Sequence, residues 1–468
     1  MAKTNIPIKT THVTHEGAPA RRIDAESQLR RTLMSCLLWE KSFYEDGESV
    51  AERIVKLVPL VKPETVFEMA IEARSKMNLR HAPLLMVREM ARLPEHRAYV
   101  SDLLFNIIQR ADELTEFVSM YWMDGKQPLS AQVKKGLARA FTKFNQYQIS
   151  KYDRDGHVKL RDVLFLSHPK ARDAEQQMVW NKLVDGTLEA PETWEVILSD
   201  KNDGLSKKEK WEKLLSENKL GAMALLRNLR NMQAVDVDEA LIKSSIIKMK
   251  TDRILPYRFI AADRYAPKFE AQIEEAMLKC LDSQEKMSGH TVLLVDVSGS
   301  MTWALSERSD MARIDAACGL AILLREICEK VDIYSFSMEL TQIPSRRGFA
   351  LRDAIVSSQK HSGTPLGLAV KSIYADKGFY ASTANFGWGG DHAVSYKGQN
   401  LAPDRLIVIT DEQSADAVPN PNGIGYMINV ASNKNGVGYG PWTHVDGFSE
   451  AIVKYIQQYE SAVEQGLF

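Results

Sequence analysis

Thr291-Val-Leu-Leu-Val-Asp296-Val-Ser298-Gly-Ser300 is the stretch on which the fold turns. Thr291 to Val295 is a short, apolar run rich in β-branched residues, as expected of a central parallel strand covered on both faces. It ends on a carboxylate, and the loop beyond adds two hydroxyls at alternate positions. In open sheets flanked by helices, ligands collect outside the C-terminal ends of the strands. Two later loops offer further oxygens: Thr364 lies in Ser362-Gly363-Thr364-Pro365 ahead of a predicted helix, and Asp411 follows a strand that ends at Thr410. Hard oxygen donors of this kind suit Mg²⁺. We therefore expect one Mg²⁺ at Asp296, Ser298, Ser300, Thr364 and Asp411. Taken alone, the Asp296 loop has a lesser alternative reading as a serine-rich turn capping the next segment, and the order of the three loops weighs against it. With no nucleophile or general base beside it, the site predicts binding and not hydrolysis.

Working outward, Met311–Lys330 reads as a helix, and Val331-Asp-Ile-Tyr-Ser-Phe336 as a second strand. Pro365–Tyr374 is a further helix, Arg405–Thr410 a third strand, Gly425–Val430 a fourth, and Phe448–Val463 a closing helix. This alternation predicts a doubly wound α/β sheet. The Gly-, Ser- and Asn-rich stretch from Asp376 to Asn400 is expected to be an exposed loop near the ligand edge. Before residue 286 the pattern is different. Val50, Ile54, Leu57 and Val58 keep helical spacing, as do Val66, Ala70 and Ala73, and then Val133, Leu137, Ala140, Phe141 and Phe144. Turn signals at Asp46-Gly47, Pro63, Pro83 and Asp124-Gly125 separate the segments. Short helices that cannot bury a face alone stack into an α-solenoid. The expected organisation is thus α plus α/β: residues 1–285 helical, residues 286–468 a sheet domain, each with its own core.

The 60 basic residues almost cancel the 61 acidic ones, so bulk charge points to no partner, and the excess of base before residue 286 is slight. A hydrophobic fraction of 44% and a charged fraction of 26% describe an ordinary soluble globular chain. Met1-Ala2-Lys3-Thr4 leads into polar sequence without a signal-peptide core, and no apolar run approaches the ~20 residues of a membrane span. A cytoplasmic monomer without membrane contact is expected. Cys36, Cys280, Cys318 and Cys328 have no CxxC spacing, which argues against zinc and for buried, reduced thiols. The chain also lacks a GxxxxGK[ST] phosphate loop, so it is not expected to be an ATPase.

Local charge is more informative. Lys135, Arg139 and Lys143 share one helix face opposite the apolar one, a stripe able to track phosphates or simply a solvated face. Arg227 and Arg230, with Asn228 and Asn231, lie off the apolar face of their helix and serve either RNA or neighbouring helix ends. Tyr152 could stack on a base or pack. Trp39, Trp122 and Trp180 read as core.

Together the two halves resemble the Ro autoantigen family, a TROVE module of HEAT-like helices closed into a ring and joined to a von Willebrand A domain. The resemblance is carried by Leu29-Arg30-Arg31-Thr32-Leu33, by Leu225-Leu226-Arg227-Asn228-Leu229-Arg230-Asn231-Met232, and by the segment from Lys151-Tyr152-Asp153-Arg154 through Ser167-His168-Pro-Lys170. In the second half, Asp296-Val-Ser-Gly-Ser-Met301 and the order of the three loops resemble the metal-ion-dependent adhesion site of von Willebrand A domains. The resemblance implies a Ro-type ribonucleoprotein acting in RNA quality control. A central hole would take single-stranded 3′ ends of misfolded non-coding RNA, the outer surface a Y-like small RNA, and an exoribonuclease would be a linked partner. It raises Lys151, Arg154, His168 and Lys170 to candidates for the small-RNA surface, although a lone histidine in an apolar segment is ordinarily structural. The competing function is a metal-dependent protein-interaction module in which the A domain grips a partner's Asp or Glu.

Overall fold

The computed structural model describes residues 24–33, 47–75, 79–189, 191–200, 202–251, 254, 256–281, 286–305, 309–385, 391–431, 441–448, 452–453, 455–457 and 460. From Ala25 to Leu281 the described residues are helix and turn, with no strand among them. The apolar spacing works as expected: Ile54, Val58, Val66, Ala70, Val133, Leu137, Ala140 and Phe141 are all buried. Close stacking needs a small residue at one crossing. A Cβ on Gly136 would stand 2.8 Å from the Leu104 Cβ, so only glycine lets the Ala131–Phe141 helix lie this close to the Arg97–Ile107 helix.

A mostly helical N-terminal part is followed by a mixed, mainly parallel sheet, the α plus α/β class expected. Its strands are β1 (Met287–Asp296), β2 (Cys328–Phe336), β3 (Leu340–Gln342), β6 (Arg405–Thr410), β7 (Ile424–Asn429) and β8 (Trp442–Asp446), in the order β3-β2-β1-β6-β7-β8. All pairings are parallel except β2 with β3. Alternation along β1 explains its unbroken apolar run. Val292 and Leu294 face one core with Leu366 and Ile373, while Leu293 and Val295 face another with Ala317, Leu320 and Leu324.

Three expectations are corrected. Asp376–Asn400 is not a loop throughout: β4 (Phe379–Asn385) and β5 (Asp391–Lys397) form an antiparallel ribbon with Tyr380 opposite Tyr396. Tyr396 is buried against the Leu366–Tyr374 helix and its hydroxyl donates to the Ser337 carbonyl, which anchors the ribbon. The helix expected over Met311–Lys330 runs from Arg313 to Ile327, because β2 starts early, at Cys328. The interior also does not divide at residue 285. Helices from Leu29 to Leu183 share one core, whereas Trp211, Leu229, Phe259, Ile273 and Met277 belong to the core that runs under the sheet. Gly319 lies on that seam, where a Cβ would meet Tyr257 closely at 3.2 Å, and ion pairs Arg352–Asp263 (2.6 Å) and Arg264–Asp315 (2.7 Å) flank it. Of the closing helix, Ile452, Val453 and Ile456 are helical and buried, and much of the remainder lies outside the described residues.

The helical run therefore leaves the sheet domain through the Glu270–Leu281 helix and returns to it through the Ala25–Leu33 helix, which packs on β8. Both ends of the run rest on one domain, so the chain closes on itself. No helix among the described residues is long and apolar enough to cross a membrane.

Candidate metal centre and nucleic-acid surface

Asp296 ends β1 and Asp411 follows β6, and these are the adjacent strands from which the sheet winds in opposite directions. That crevice is where an open α/β sheet binds ligands. Asp296 Oδ1 accepts from the Ser298 N–H (2.8 Å) and Oδ2 from the Thr410 hydroxyl (2.6 Å). The Ser298 and Ser300 hydroxyls are 3.4 Å apart. Backbone bonds clamp the other loops onto this one: Gly299 N–H donates to the Ser362 carbonyl (2.7 Å) and Ala415 N–H to the Thr364 carbonyl (2.9 Å). The structure thus brings all five predicted residues to one sheet edge.

Asp296, Ser298, Thr364 and Asp411 are buried. Burial, and then the charge of Asp411, push the Asp296 carboxyl up to about 7. Two buried carboxylates with hydroxyls around them offer hard oxygens of the kind that Mg²⁺ takes, although Asp411 is already paired with Arg313. Among the described residues no cluster of three or more His, Cys, Asp or Glu is placed to hold a metal. Two carboxylates and three hydroxyls would make a donor set of hard oxygens. The described cysteines, Cys280, Cys318 and Cys328, are buried, and burial pushes the Cys318 and Cys328 thiols up; Cys36 lies outside the described residues.

Sequence reasoning missed the cations around this edge. Arg313 opens the Arg313–Ile327 helix with its side chain fully buried, and its Nη1 donates to Asp411 Oδ2 (3.0 Å) and to the Ser300 carbonyl (3.2 Å). One residue beyond Asp411, Glu412 takes a left-handed backbone (φ 59°) and meets Arg31 of the first helix. Arg31 Nη2 lies 2.7 Å from Glu412 Oε2, and its Nε donates to both Asp446 oxygens at 2.9 Å. His444 Nδ1 is 2.9 Å from Glu412 Oε1. Burial opposes ionisation of Glu412, but Arg31 and His444 hold its carboxyl below the usual range. This buried cluster closes the helical run onto the sheet. No local signal marks it, since Arg31 looks like any base on an amphipathic helix and its partners are some four hundred residues away.

The nucleic-acid candidates are placed differently. Lys135 is exposed, but Arg139 pairs with Asp102 and lies 4.7 Å from the Phe105 ring centre. Lys143 donates to the Phe105 and Ile108 carbonyls, and burial lowers its ammonium pKa. Only Lys135 of the three points its charge away from the scaffold. Lys151 and Arg154 line a cleft of about 330 Å³ that also holds Asp153, Glu189 and Glu195. His168 is exposed, as is Lys170, and caps the Leu160–Ser167 helix in the left-handed region (φ 49°) with its N–H on the Leu164 carbonyl (3.0 Å). His168 is therefore not buried within its apolar segment, and its structural role is that of a helix cap. Arg227 and Arg230 are exposed, Arg230 stacking 5.8 Å from the Tyr265 ring centre. Tyr152 is half-buried beneath Arg110 (4.8 Å), Trp180 is buried edge-on to Phe141 (5.5 Å), and half-buried Trp122 donates to the Gln127 carbonyl (2.7 Å). Trp39 lies outside the described residues.

Sequence comparison with curated proteins gives no match. Among solved structures, the crystal structure of Deinococcus radiodurans RO (RSR) protein superposes with a TM-score of 0.61 at 17% identity, covering 92% of this chain and 97% of that one. At that identity the likeness speaks to fold alone, and it spans both the helical run and the sheet. The TROVE domain model matches residues 27–190 and 180–314, well over half of the sequence, and the chain accordingly belongs to the TROVE domain family.

Proposed function

We propose that the chain is a non-enzymatic RNA-binding protein of a Ro-type ribonucleoprotein. Single-stranded 3′ ends of misfolded RNA would enter the ring of helices, and a Y-like structured RNA would lie outside, near Lys151, Arg154, His168 and Lys170. Lys135, Arg227 and Arg230 would add phosphate contacts, with Arg139 and Lys143 as their support. An exoribonuclease would consume the threaded ends. The observation that carries this reading is the return of the Ala25–Leu33 helix onto β8 in a TROVE chain, because a closed circuit of helices is what threading requires. Backbone contacts would dominate, so affinity should fall steeply with salt and depend little on sequence. The test is anisotropy with a hairpin bearing a 3′ tail against the same hairpin blunt-ended. Tighter binding of the tailed RNA is expected, and equal affinity would rule out threading.

Asp296, Ser298, Ser300, Thr364 and Asp411 would hold Mg²⁺, whose Lewis acidity would grip an anionic partner at the sheet edge. The protein-interaction reading draws support from Trp303, which is exposed on the metal loop and offers a partner an aromatic contact. Purified protein free of nucleic acid by absorbance, and unable to bind either hairpin, would favour that second reading.

A further inference from the structure

A cavity of about 470 Å³ opens where the two helical cores meet. On one side is the Gln146–Tyr152 helix, tied to the first core through Ile149. On the other is the Ala222–Gln233 helix, tied to the second through Leu225 and Leu229. Seams between packed units are favoured places for small-ligand sites, and the volume falls within their roughly 300–1,000 Å³ range. Exposed Tyr147 and half-buried Trp194 both line it. Trp194 stacks on buried Trp211 (6.2 Å between ring centres, 24° between planes), so its ring is held before any ligand arrives. Lys151, Lys219 and Lys250 bring three ammonium groups to the same cavity against the single carboxylate of Glu192. Lys219 is answered by Glu192 and Glu217, each at 3.0 Å. Lys151 and Lys250 pair with no carboxylate among the described residues, and Lys151 lies 5.8 Å from the Tyr147 ring centre. Two positive charges therefore stand beside aromatic rings in a concave wall. The first turn of the Ala222–Gln233 helix reaches the same cavity with neither a side-chain cap nor an acid, which adds to the positive field.

We propose that this cavity is a pocket for a single nucleoside 5′-monophosphate. The base lies against Trp194 and Tyr147, because every base has a face that stacks on an aromatic ring. The phosphate meets Lys151 and Lys250, whose charges the protein itself leaves unanswered. None of the five metal-edge residues lines the pocket, and Lys151 alone is shared with the outer RNA surface proposed above. The ligand has two possible sources, a free mononucleotide or an unpaired nucleotide of a bound RNA. The second source rests on the RNA-binding reading, and the first does not.

The experiment is calorimetric titration of AMP into the full chain, alongside adenosine and ribose 5-phosphate, in EDTA so that the metal edge takes no part. AMP should bind at a single site, and each half-ligand about tenfold more weakly. Lys250→Met should weaken AMP and ribose 5-phosphate about tenfold and leave adenosine unchanged. Trp194→Leu should do the reverse, weakening AMP and adenosine about tenfold and sparing ribose 5-phosphate. Should Trp194→Leu fail to fold, Tyr147→Ala decides the same point, since its side chain is exposed. Competition then reads the source. A hairpin with one bulged adenosine that displaces AMP, when its fully paired counterpart does not, supports the pocket and identifies RNA as the source. AMP bound by a protein that binds neither hairpin upholds the pocket with a free mononucleotide and overturns the RNA reading. No AMP binding, or an AMP affinity unchanged in Lys250→Met and Tyr147→Ala, would overturn the pocket whatever the affinity for RNA.

Discussion

At the Asp296 edge the candidate residues sit on loops tied to one another by hydrogen bonds, and four of the five are buried. Between Lys135 and Lys170 the candidate bases are exposed, half-buried or bonded to their own scaffold. The contrast has a physical origin. A sheet edge is built by topology, because parallel strands that wind in opposite directions open a crevice whatever the surface does. A nucleic-acid face is an arrangement of long side chains over many helices, and each cation has nearby carboxylates and carbonyls competing for it. Arg139 and Lys143 went to Asp102 and to two backbone carbonyls, and Lys135 did not. A buried edge can thus be tested by loss of binding, and a distributed face only by comparing neighbours.

The largest effect is expected at the edge. Asp296→Ala removes the carboxylate at the centre of the three loops, and the Mg²⁺ heat should vanish in calorimetry. The helical circular-dichroism signal should persist, since Asp296 itself bonds only within the sheet edge. Retained Mg²⁺ affinity would break the contrast outright, leaving neither region with a defined site.

Next comes the cluster that joins the two regions. Arg31→Met strands the buried carboxylates of Glu412 and Asp446 and should lower stability by about 3–5 kcal/mol. The Ala25–Leu33 helix would then lose its polar anchor on β8, and the hydrodynamic radius should rise before global unfolding in a denaturant series. A single cooperative transition with unchanged radius and midpoint would show that apolar packing alone closes the chain.

Within the basic stripe the contrast sharpens. Lys143→Met leaves the Phe105 and Ile108 carbonyls without their donor and should cost about 1–3 kcal/mol, discounted toward the low end because the ammonium is only half-buried. Its effect on RNA affinity should be smaller than that of exposed Lys135→Met, which should leave stability unchanged and reduce the salt slope by about one. The reverse pattern, measured by melting and anisotropy, would make Lys143 the RNA contact.

How much of this was legible follows the same division. β1, β2, β6 and β7 declare themselves as apolar runs within a few residues of their observed limits, and the five edge residues follow from the loops after them. β8 did not, because Trp442-Thr443-His444-Val445-Asp446 is short and carries the polar groups that meet Arg31 and Glu412. The β4–β5 ribbon hid behind glycine and serine, although Tyr380 and Tyr396 are the cross-strand pair that holds it. Arg313 and Arg31 were illegible for one reason: a buried cation is identified by its partners, and theirs come from distant parts of the chain. The shared core is equally non-local, since nothing near Gly319 announces that Tyr257 will rest on it.

The smallest effect separates a cap from a contact at His168. Its φ of 49° is a conformation that glycine and asparagine adopt readily and alanine does not. His168→Ala therefore mixes two changes, loss of the imidazole and about 1 kcal/mol of backbone strain. His168→Gly and His168→Asn remove the ring while keeping the left-handed cap, and both should melt close to the natural protein. If the exposed ring donates to a structured RNA, all three variants should weaken binding by a similar, severalfold amount, because hydrogen bonds at a wet surface contribute little more than that. If His168 serves only to end the Leu160–Ser167 helix, affinity should follow the melting midpoint: reduced in His168→Ala, unchanged in His168→Gly and His168→Asn. Titrating the same structured RNA with Asp296→Ala completes the comparison. Binding on this face should survive an emptied metal edge, because His168 lies beside a different core from Asp296 and takes no part in the Arg31 cluster that joins the two regions.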